Sequence, residues 1–180
     1  NAAKDALKDS GIDPAQIGCV VVATVTHLYQ TPAIATRVAV EVGAPTAAAF
    51  DISAACAGFC YGIAMANDMV RGGSAKYVLA IGVERLSDLT DRTDRSTAFI
   101  FADGAGAAVV GPTEEPGIGP VVWGSDGAMA DKIEIKDRNS FLMQEGQAVF
   151  RWATTALHPV AKKACELAGV DPTELAAFVP

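Results

Sequence analysis

The sequence predicts an α/β layer protein in which one helix–turn–strand unit occurs twice. Three observations lead to that expectation. Helical and extended apolar patterns alternate along most of the chain. The run GCVVVATVT over residues 18–26 is continuous and β-branched, as in a strand covered on both faces. Lys4-x-Ala6 followed by Gly11-Ile12-Asp13-Pro14 recurs as Lys162-x-Ala164 followed by Gly169-Val170-Asp171-Pro172. Gln16-Ile17 and Val20-Val21 then correspond to Glu174-Leu175 and Phe178-Val179. Helix–Gly–x–Asp–Pro–strand is a common connection, so the alternatives are a recurrent local motif or an ancient duplication. Duplication implies one whole half and the beginning of a second, whose strand over residues 176–180 stops partway.

In chain order, residues 2–10 form a short helix closed by Gly11, a residue suited to the left-handed position after a helix end. Residues 31–42 form a second helix with Pro32 in its first turn and Gly43 after its end. Residues 47–52 are a strand, residues 57–71 an apolar helix stopped by Gly72-Gly73, and residues 77–83 another buried strand. A polar loop over residues 84–97 follows, then residues 98–110 as two strands about a turn at Asp103-Gly104. Prolines and glycines make residues 112–119 a linker between a first domain, residues 1–111, and a second, residues 120–180. In the second domain strands are expected near 121–124 and 132–136. A long helix over 146–168 follows, kinked at His158-Pro159 where a helical N–H is lost.

Composition removes several classes of function. The net charge is −7 with no basic run, which disfavours nucleic acid. Mean hydropathy is high at +0.27, yet no apolar stretch reaches the ~18 residues a membrane span needs. Four cysteines in a core-rich chain of 180 residues fit a reduced, cytoplasmic protein better than a disulfide framework.

Cys56 is the central chemical candidate. A strand runs straight into a helix at Asp51-Ile52-Ser53-Ala54-Ala55-Cys56-Ala57-Gly58-Phe59, and small neighbours permit a sharp turn there. A thiol at a helix N-terminus meets unpaired N–H groups and the positive dipole end, which favour the thiolate that attacks acyl carbons. The alternative is a small buried core cysteine. Cys19 and Cys165 fit core positions, and Cys60, one turn from Cys56, lacks the partners a metal site needs. Asp103-Gly104-Ala105-Gly106 fits a tight turn better than a phosphate loop, since it lacks the third glycine and a Lys-Ser/Thr pair. The segment over residues 87–97 is either a solvated loop with local ion pairs or a place where Arg92 or Arg95 grips a phosphorylated ligand. His27 and His158 are the only histidines, and neither is compelling as a base.

The Cys56 segment, Asp94-Arg95-Ser96-Thr97 and Phe101-Ala102-Asp103-Gly104-Ala105-Gly106-Ala107-Ala108 together resemble the β-ketoacyl-acyl carrier protein synthase III family of thiolase-like condensing enzymes. Gly146-x-x-Val149-Phe150 and the final Leu175-Ala176-Ala177-Phe178-Val179-Pro180 fit it as well. The resemblance implies a thiolase-like duplicated αβαβα layering with an incomplete second half. It implies a homodimer that takes an acyl group from a short acyl-CoA onto Cys56 and condenses it with malonyl-acyl carrier protein, with no cofactor and no metal. By the same resemblance, Arg95, Ile100, Gly146 and Phe150 serve CoA and pantetheine binding, Thr31 and Phe101 the acyl pocket, and Arg151 carrier-protein docking. Thr31 stands where some relatives carry Phe, which implies a starter larger than acetyl. The family's His-Gln-Ala motif would follow the Val-Pro matched by Val179-Pro180, and its Asn would come later. Neither is in this sequence, so this polypeptide by itself is expected not to condense. Fatty-acid initiation and polyketide starter selection stay open. A same-fold acyltransferase and a non-catalytic dimerisation or docking module remain alternatives.

Overall fold

The β-branched run becomes the inner strand β1 (Ile17–Ala23), which pairs in parallel with β2 (Ala48–Ile52) on one side and β3 (Tyr77–Arg85) on the other. β4 (Asp103–Val110) adds antiparallel to β3, so the sheet order is β2-β1-β3-β4. These features come from a computed structural model that describes residues 1–137 and 139–179. The chain divides into two compact units, residues 1–89 with 101–114, and residues 90–100 with 115–180.

In the first unit both faces of the sheet are covered, which is why β1 shows no alternation of apolar and polar residues. Val20, Val22, Leu79 and Ile81 pack on one face with Leu7 of α1 (Ala2–Ser10) and with Ala35, Ala39 and Val42 of α2 (Ile34–Val42). On the other face lies α3 (Gly58–Arg71), whose first residues sit against Ala23 and Gly82. Gly11 and Gly43 end α1 and α2 at φ +66° and +90°, positions that cost a side chain dearly.

Several expected boundaries change. α2 starts at Ile34, not Thr31, because its first N–H groups are capped from a distance: Ile34 N and Ala35 N donate to the Asp51 carboxylate at 2.8 and 2.9 Å. Residues 98–110 hold one strand, not two. β4 pairs with β3 from Val78 opposite Val110 to Arg85 opposite Asp103, so Asp103 and Gly104 belong to the ladder and not to a turn.

The second unit carries the turns of residues 90–100 and the long helix α4 (Gly146–Ala168), which runs through Pro159 as one element. Before α4, a 3₁₀ segment Gly127–Lys132 leads into β5 (Ile133–Glu134), paired antiparallel with β6 (Met143–Gln144). Trp152 Nε1 donates to Asp126 Oδ2 at 2.9 Å and ties α4 to the start of that segment. The strand expected at 121–124 does not form, and the one at 132–136 shrinks to two residues. Residues 176–179 are not a strand either, since no ladder partner among the described residues reaches them. Pro180, at the end of that expected strand, lies outside the described residues.

Candidate functional site

The site is built at the junction of β2 and α3. After Ile52 the chain reaches Ala55, whose φ of +44° is a left-handed value that a β-carbon disfavours. A 3₁₀ turn over Ala55–Ala57 follows, closed by Ala57 N–H donating to Ala54 O at 3.1 Å, and α3 starts at Gly58. Cys56 stands on the crest of this sharp turn, exposed to solvent. The core-cysteine alternative therefore fits Cys19, which is buried and whose thiol is pushed up by burial, and not Cys56.

Missing side chains hold the turn against the sheet. A β-carbon on Gly58 would lie 2.9 Å from the Ala23 methyl, and one on Gly82 would lie 3.2 Å from the Phe59 ring. The Cys56 turn thus rests on β1 and β3 through Ala23, Gly58 and Gly82. An open cavity of about 450 Å³ lies at the thiol, lined among others by Phe59, Glu84, Asp103, Gly104 and Gly106. A side chain on Gly104 or Gly106 would meet nothing within 4 Å, so these two glycines leave the space over β4 free. An exposed thiol on a strained turn, with room beside it, is suited to attack a carbonyl carbon and to hold the resulting thioester.

Polar clamps flank this arrangement. Asp103 accepts from Ser87 N at 2.9 Å and from Ser87 Oγ at 2.7 Å, fixing the short turn after β3. The Glu84 carboxylate accepts from Val25 N at 3.0 and 3.2 Å and from the Thr24 hydroxyl at 3.3 Å. Sequence reasoning missed Asp51 and Glu84, since each acts through residues far away in the chain.

Of the residues expected to serve the site, Cys56 alone lines this cavity; half-buried Phe101 immediately precedes Ala102 in its wall. Thr31 is exposed on the segment before α2 and is not in the wall. His27 contacts Pro32 O through Nε2 at 3.2 Å and stacks obliquely on Tyr29, in a separate depression that includes Arg37. Arg95 and Ile100 are exposed in the second unit. Of the polar segment, Asp88 makes the local ion pair that the solvated-loop alternative expects, with Arg85 at 3.1 Å, while hydroxyl–carboxylate bonds organise residues 90–100. Asp94 accepts from Ser96 Oγ at 2.6 Å and Thr97 Oγ1 at 2.8 Å, and Asp91 from Thr93 Oγ1 at 2.7 Å. The Ser96 hydroxyl and amide hold the Asp94 carboxyl below the usual carboxylate range, and the Thr93 hydroxyl does the same for Asp91. Gly146 opens α4, and Phe150 and Arg151 lie one turn later, exposed. His158 is exposed on the same helix. Cys60 is exposed and Cys165 half-buried. Among the described residues no group of three His, Cys, Asp or Glu side chains is placed to hold a metal ion, and no helix is long and apolar enough to cross a membrane.

With this geometry in place, known proteins give it context. The family model for 3-oxoacyl-[acyl-carrier-protein] synthase III matches residues 50–127, which include the Cys56 turn, β3 and β4. A β-ketoacyl-[acyl-carrier-protein] synthase III of Streptomyces coelicolor is 53% identical across 99% of this chain and 58% of its own length. A mycobacterial β-ketoacyl-[acyl-carrier-protein] synthase III of Mycobacterium avium is 50% identical across 99% of this chain and 57% of its own. Among solved structures, the priming β-ketosynthase of the R1128 polyketide biosynthetic pathway superposes with a TM-score of 0.94 at 44% identity. That match covers 99% of this chain and 57% of the other. The chain therefore spans less than two thirds of the length of these relatives.

Proposed function

Because the chain belongs, over the span it shares with these relatives, to the 3-oxoacyl-[acyl-carrier-protein] synthase III family, we propose that it carries the nucleophilic cysteine of a priming ketosynthase. The observation that supports this most is the exposed Cys56 on a left-handed turn beside a cavity left open by Gly104 and Gly106. The Cys56 thiolate attacks the thioester carbon of a short acyl-CoA. The tetrahedral centre collapses with loss of CoA thiolate, which takes up the proton, and the acyl group stays on sulfur. In the full-length protein, malonyl-acyl carrier protein then loses carbon dioxide, and its carbanion attacks the acyl-Cys56 carbonyl, giving a β-ketoacyl product and expelling the Cys56 thiolate, which takes up a proton from solvent.

In this proposal Arg95, Ile100, Gly146 and Phe150 meet CoA or pantetheine, Thr31 and Phe101 border the acyl group, and Arg151 meets the carrier protein. Residues 1–111 and 120–180 belong to the two halves of a duplicated whole, which works as a cytoplasmic homodimer. Exposed Arg95 and Arg151 suit phosphate and acidic partners, because a guanidinium binds oxyanions through paired donors.

The test is intact-mass measurement after incubation with acyl-CoAs of increasing length. One acyl adduct is expected on the chain and none on Cys56→Ala. An adduct that survives Cys56→Ala would sink the assignment. Acyl groups larger than acetyl should load at least as well, given the short Thr31; strict acetyl preference would refute that part. With malonyl-acyl carrier protein and the full-length protein, release of carbon dioxide marks condensation. Transfer without release marks a same-fold acyltransferase instead.

A further inference from the structure

We propose that Glu84 is a positioning residue for the Cys56 turn, holding the exit of β1 where its own ladder ends. This rests on the proposed acyl chemistry for its meaning but not for its geometry. β1 pairs with both neighbours only as far as Ala23, opposite Ile52 and Gly82. Hydrogen bonds at Thr24, Val25 and Thr26 take over there. Thr24 N–H still reaches Ile52 O at 3.1 Å. Val25 N–H, with no strand to receive it, donates to both oxygens of Glu84 at 3.0 and 3.2 Å. The Thr26 hydroxyl accepts Arg85 N–H at 3.0 Å and lies 3.2 Å from the Thr24 hydroxyl, which also meets Glu84. A carboxylate from β3 thus substitutes for a ladder partner and binds the β1 exit to the end of β3.

That exit touches the nucleophile's support directly. Ala23 is the residue against which Gly58 rests, with no room for a methyl group between them. Ile52, which receives Thr24 N–H, leads through Ser53 and Ala54 to Cys56. Glu84 itself lines the Cys56 cavity. A carboxylate is the right group for this place. A charged acceptor makes a stronger bond to an amide than a neutral one, and two oxygens serve Val25 and Thr24 together. Without Glu84, Val25 N–H loses its acceptor, the β1 exit loosens, and the strained turn with Ala55 at φ +44° loses the surface that holds it.

The experiment compares the unmodified protein with Glu84→Ala and Glu84→Gln by amide hydrogen exchange and by the kinetics of Cys56 acylation from acyl-CoA. In Glu84→Ala, exchange at Val25 and at Ala57, whose N–H closes the Cys56 turn, should speed up about tenfold, the order of one charge-assisted hydrogen bond. The limiting acylation rate should fall about tenfold while the half-saturating acyl-CoA concentration moves less than about twofold, since orientation and not binding is lost. Glu84→Gln keeps an acceptor for Val25 and a donor for Thr24, so it should stay within about threefold of the unmodified protein. Iodoacetamide labelling of Cys56 should change little in either variant, because a small electrophile needs no set orientation. If Val25 exchange rises while Ala57 exchange and acylation stay as they were, the proposal is wrong. If the unmodified protein takes no acyl group while Ala57 exchange responds to Glu84→Ala, the acyl reading fails and the positioning role stands. Should Glu84→Ala not fold, Thr24→Val removes one partner of the carboxylate at nearly constant volume. It should speed Ala57 exchange by at least about twofold; an unchanged rate would overturn the role.

Discussion

At the scale of single residues, local hydrogen bonding and burial decide which groups respond to solution conditions. Asp94 receives the Ser96 hydroxyl first, then the Ser96 amide and the Thr97 hydroxyl, and its pKa is lowered. A lowered folded-state pKa contributes stability above the unfolded value of about 3.9, and that contribution is lost as pH falls through the folded value. The loop at 94–97 should therefore keep this stabilisation down to pH ~4 and lose it as Asp94 protonates below that. Carboxyl-carbon NMR should give Asp94 a midpoint under the ordinary aspartate value, and Ser96→Ala should move it upward; an unmoved midpoint would show that Ser96 is not the cause. The cysteines separate in the same way. Cys19 is buried with its thiol pushed up, whereas Cys56 and Cys60 are exposed. Iodoacetamide at neutral pH should modify Cys56 and Cys60 in the native protein and reach Cys19 only on unfolding, as peptide mapping would show. The sharp turn at Cys56 was legible from its neighbours, because small residues between a strand and a helix permit one. The left-handed Ala55 was not, since alanine carries no propensity for that backbone state.

At the scale of elements, close approach and distant caps set positions that local patterns leave open. Gly58→Ala would place a methyl group 2.9 Å from that of Ala23, and the buried contact cannot relax without moving α3 or β1. A loss of about 1–3 kcal/mol is expected in denaturant unfolding, together with slower acylation of Cys56. A variant as stable as the parent would mean that α3 gives way freely. Asp51→Ala removes the acceptor of both Ile34 N–H and Ala35 N–H. It should cost about 1–2 kcal/mol and fray the start of α2, seen as faster exchange at Ile34 and Ala35. Before the structure, α1, α3 and α4 and the strands β1 to β3 were readable to within a few residues, because long apolar patterns with glycine stops leave little choice. The pattern of residues 98–110 predicts two strands because Asp103-Gly104 has the chemistry of a turn. The ladder with β3 overrides that preference by pairing Arg85 with Asp103 and Glu84 with Gly104. Segment 121–124 has strand propensity, yet it joins neither sheet of the described residues.

At the scale of the whole molecule, the sequence repeat is also a repeat of backbone geometry. Gly11 and Gly169 close α1 and α4 at φ 66°, ψ 11° and φ 68°, ψ 26°, each donating its N–H to the last turn of the helix. Asp13 and Asp171 then cap 3₁₀ turns by accepting Ala15 N–H and Thr173 N–H, at 3.0 and 2.8 Å. The two copies part company afterwards: Ile17 enters a strand held between two neighbours, whereas no strand takes in residues 176–179. The same contrast runs through the energetics. The hydrophobic cluster around Val20, Val22, Leu79 and Ile81 lies wholly in the first unit. α4 has no buried residue along its 23 positions, exposes Phe150, Leu157, Val160 and Leu167, and carries Pro159 inside. A helix with a half-buried face at most gains little from packing, and the missing N–H of Pro159 weakens it in the middle. Hydrogen exchange of this 180-residue chain should therefore rank the two units. Amides of Val20, Val22 and Leu79 should exchange only through global unfolding, while those of α4 should exchange through local opening, at least about a hundredfold faster. Equal protection in α4 and β1 would show that a face left exposed here is covered in solution, and would contradict this ranking. If acyl-CoA slowed exchange in α4 but left β1 unchanged, the slowing would place ligand contacts on the helix carrying Gly146, Phe150 and Arg151.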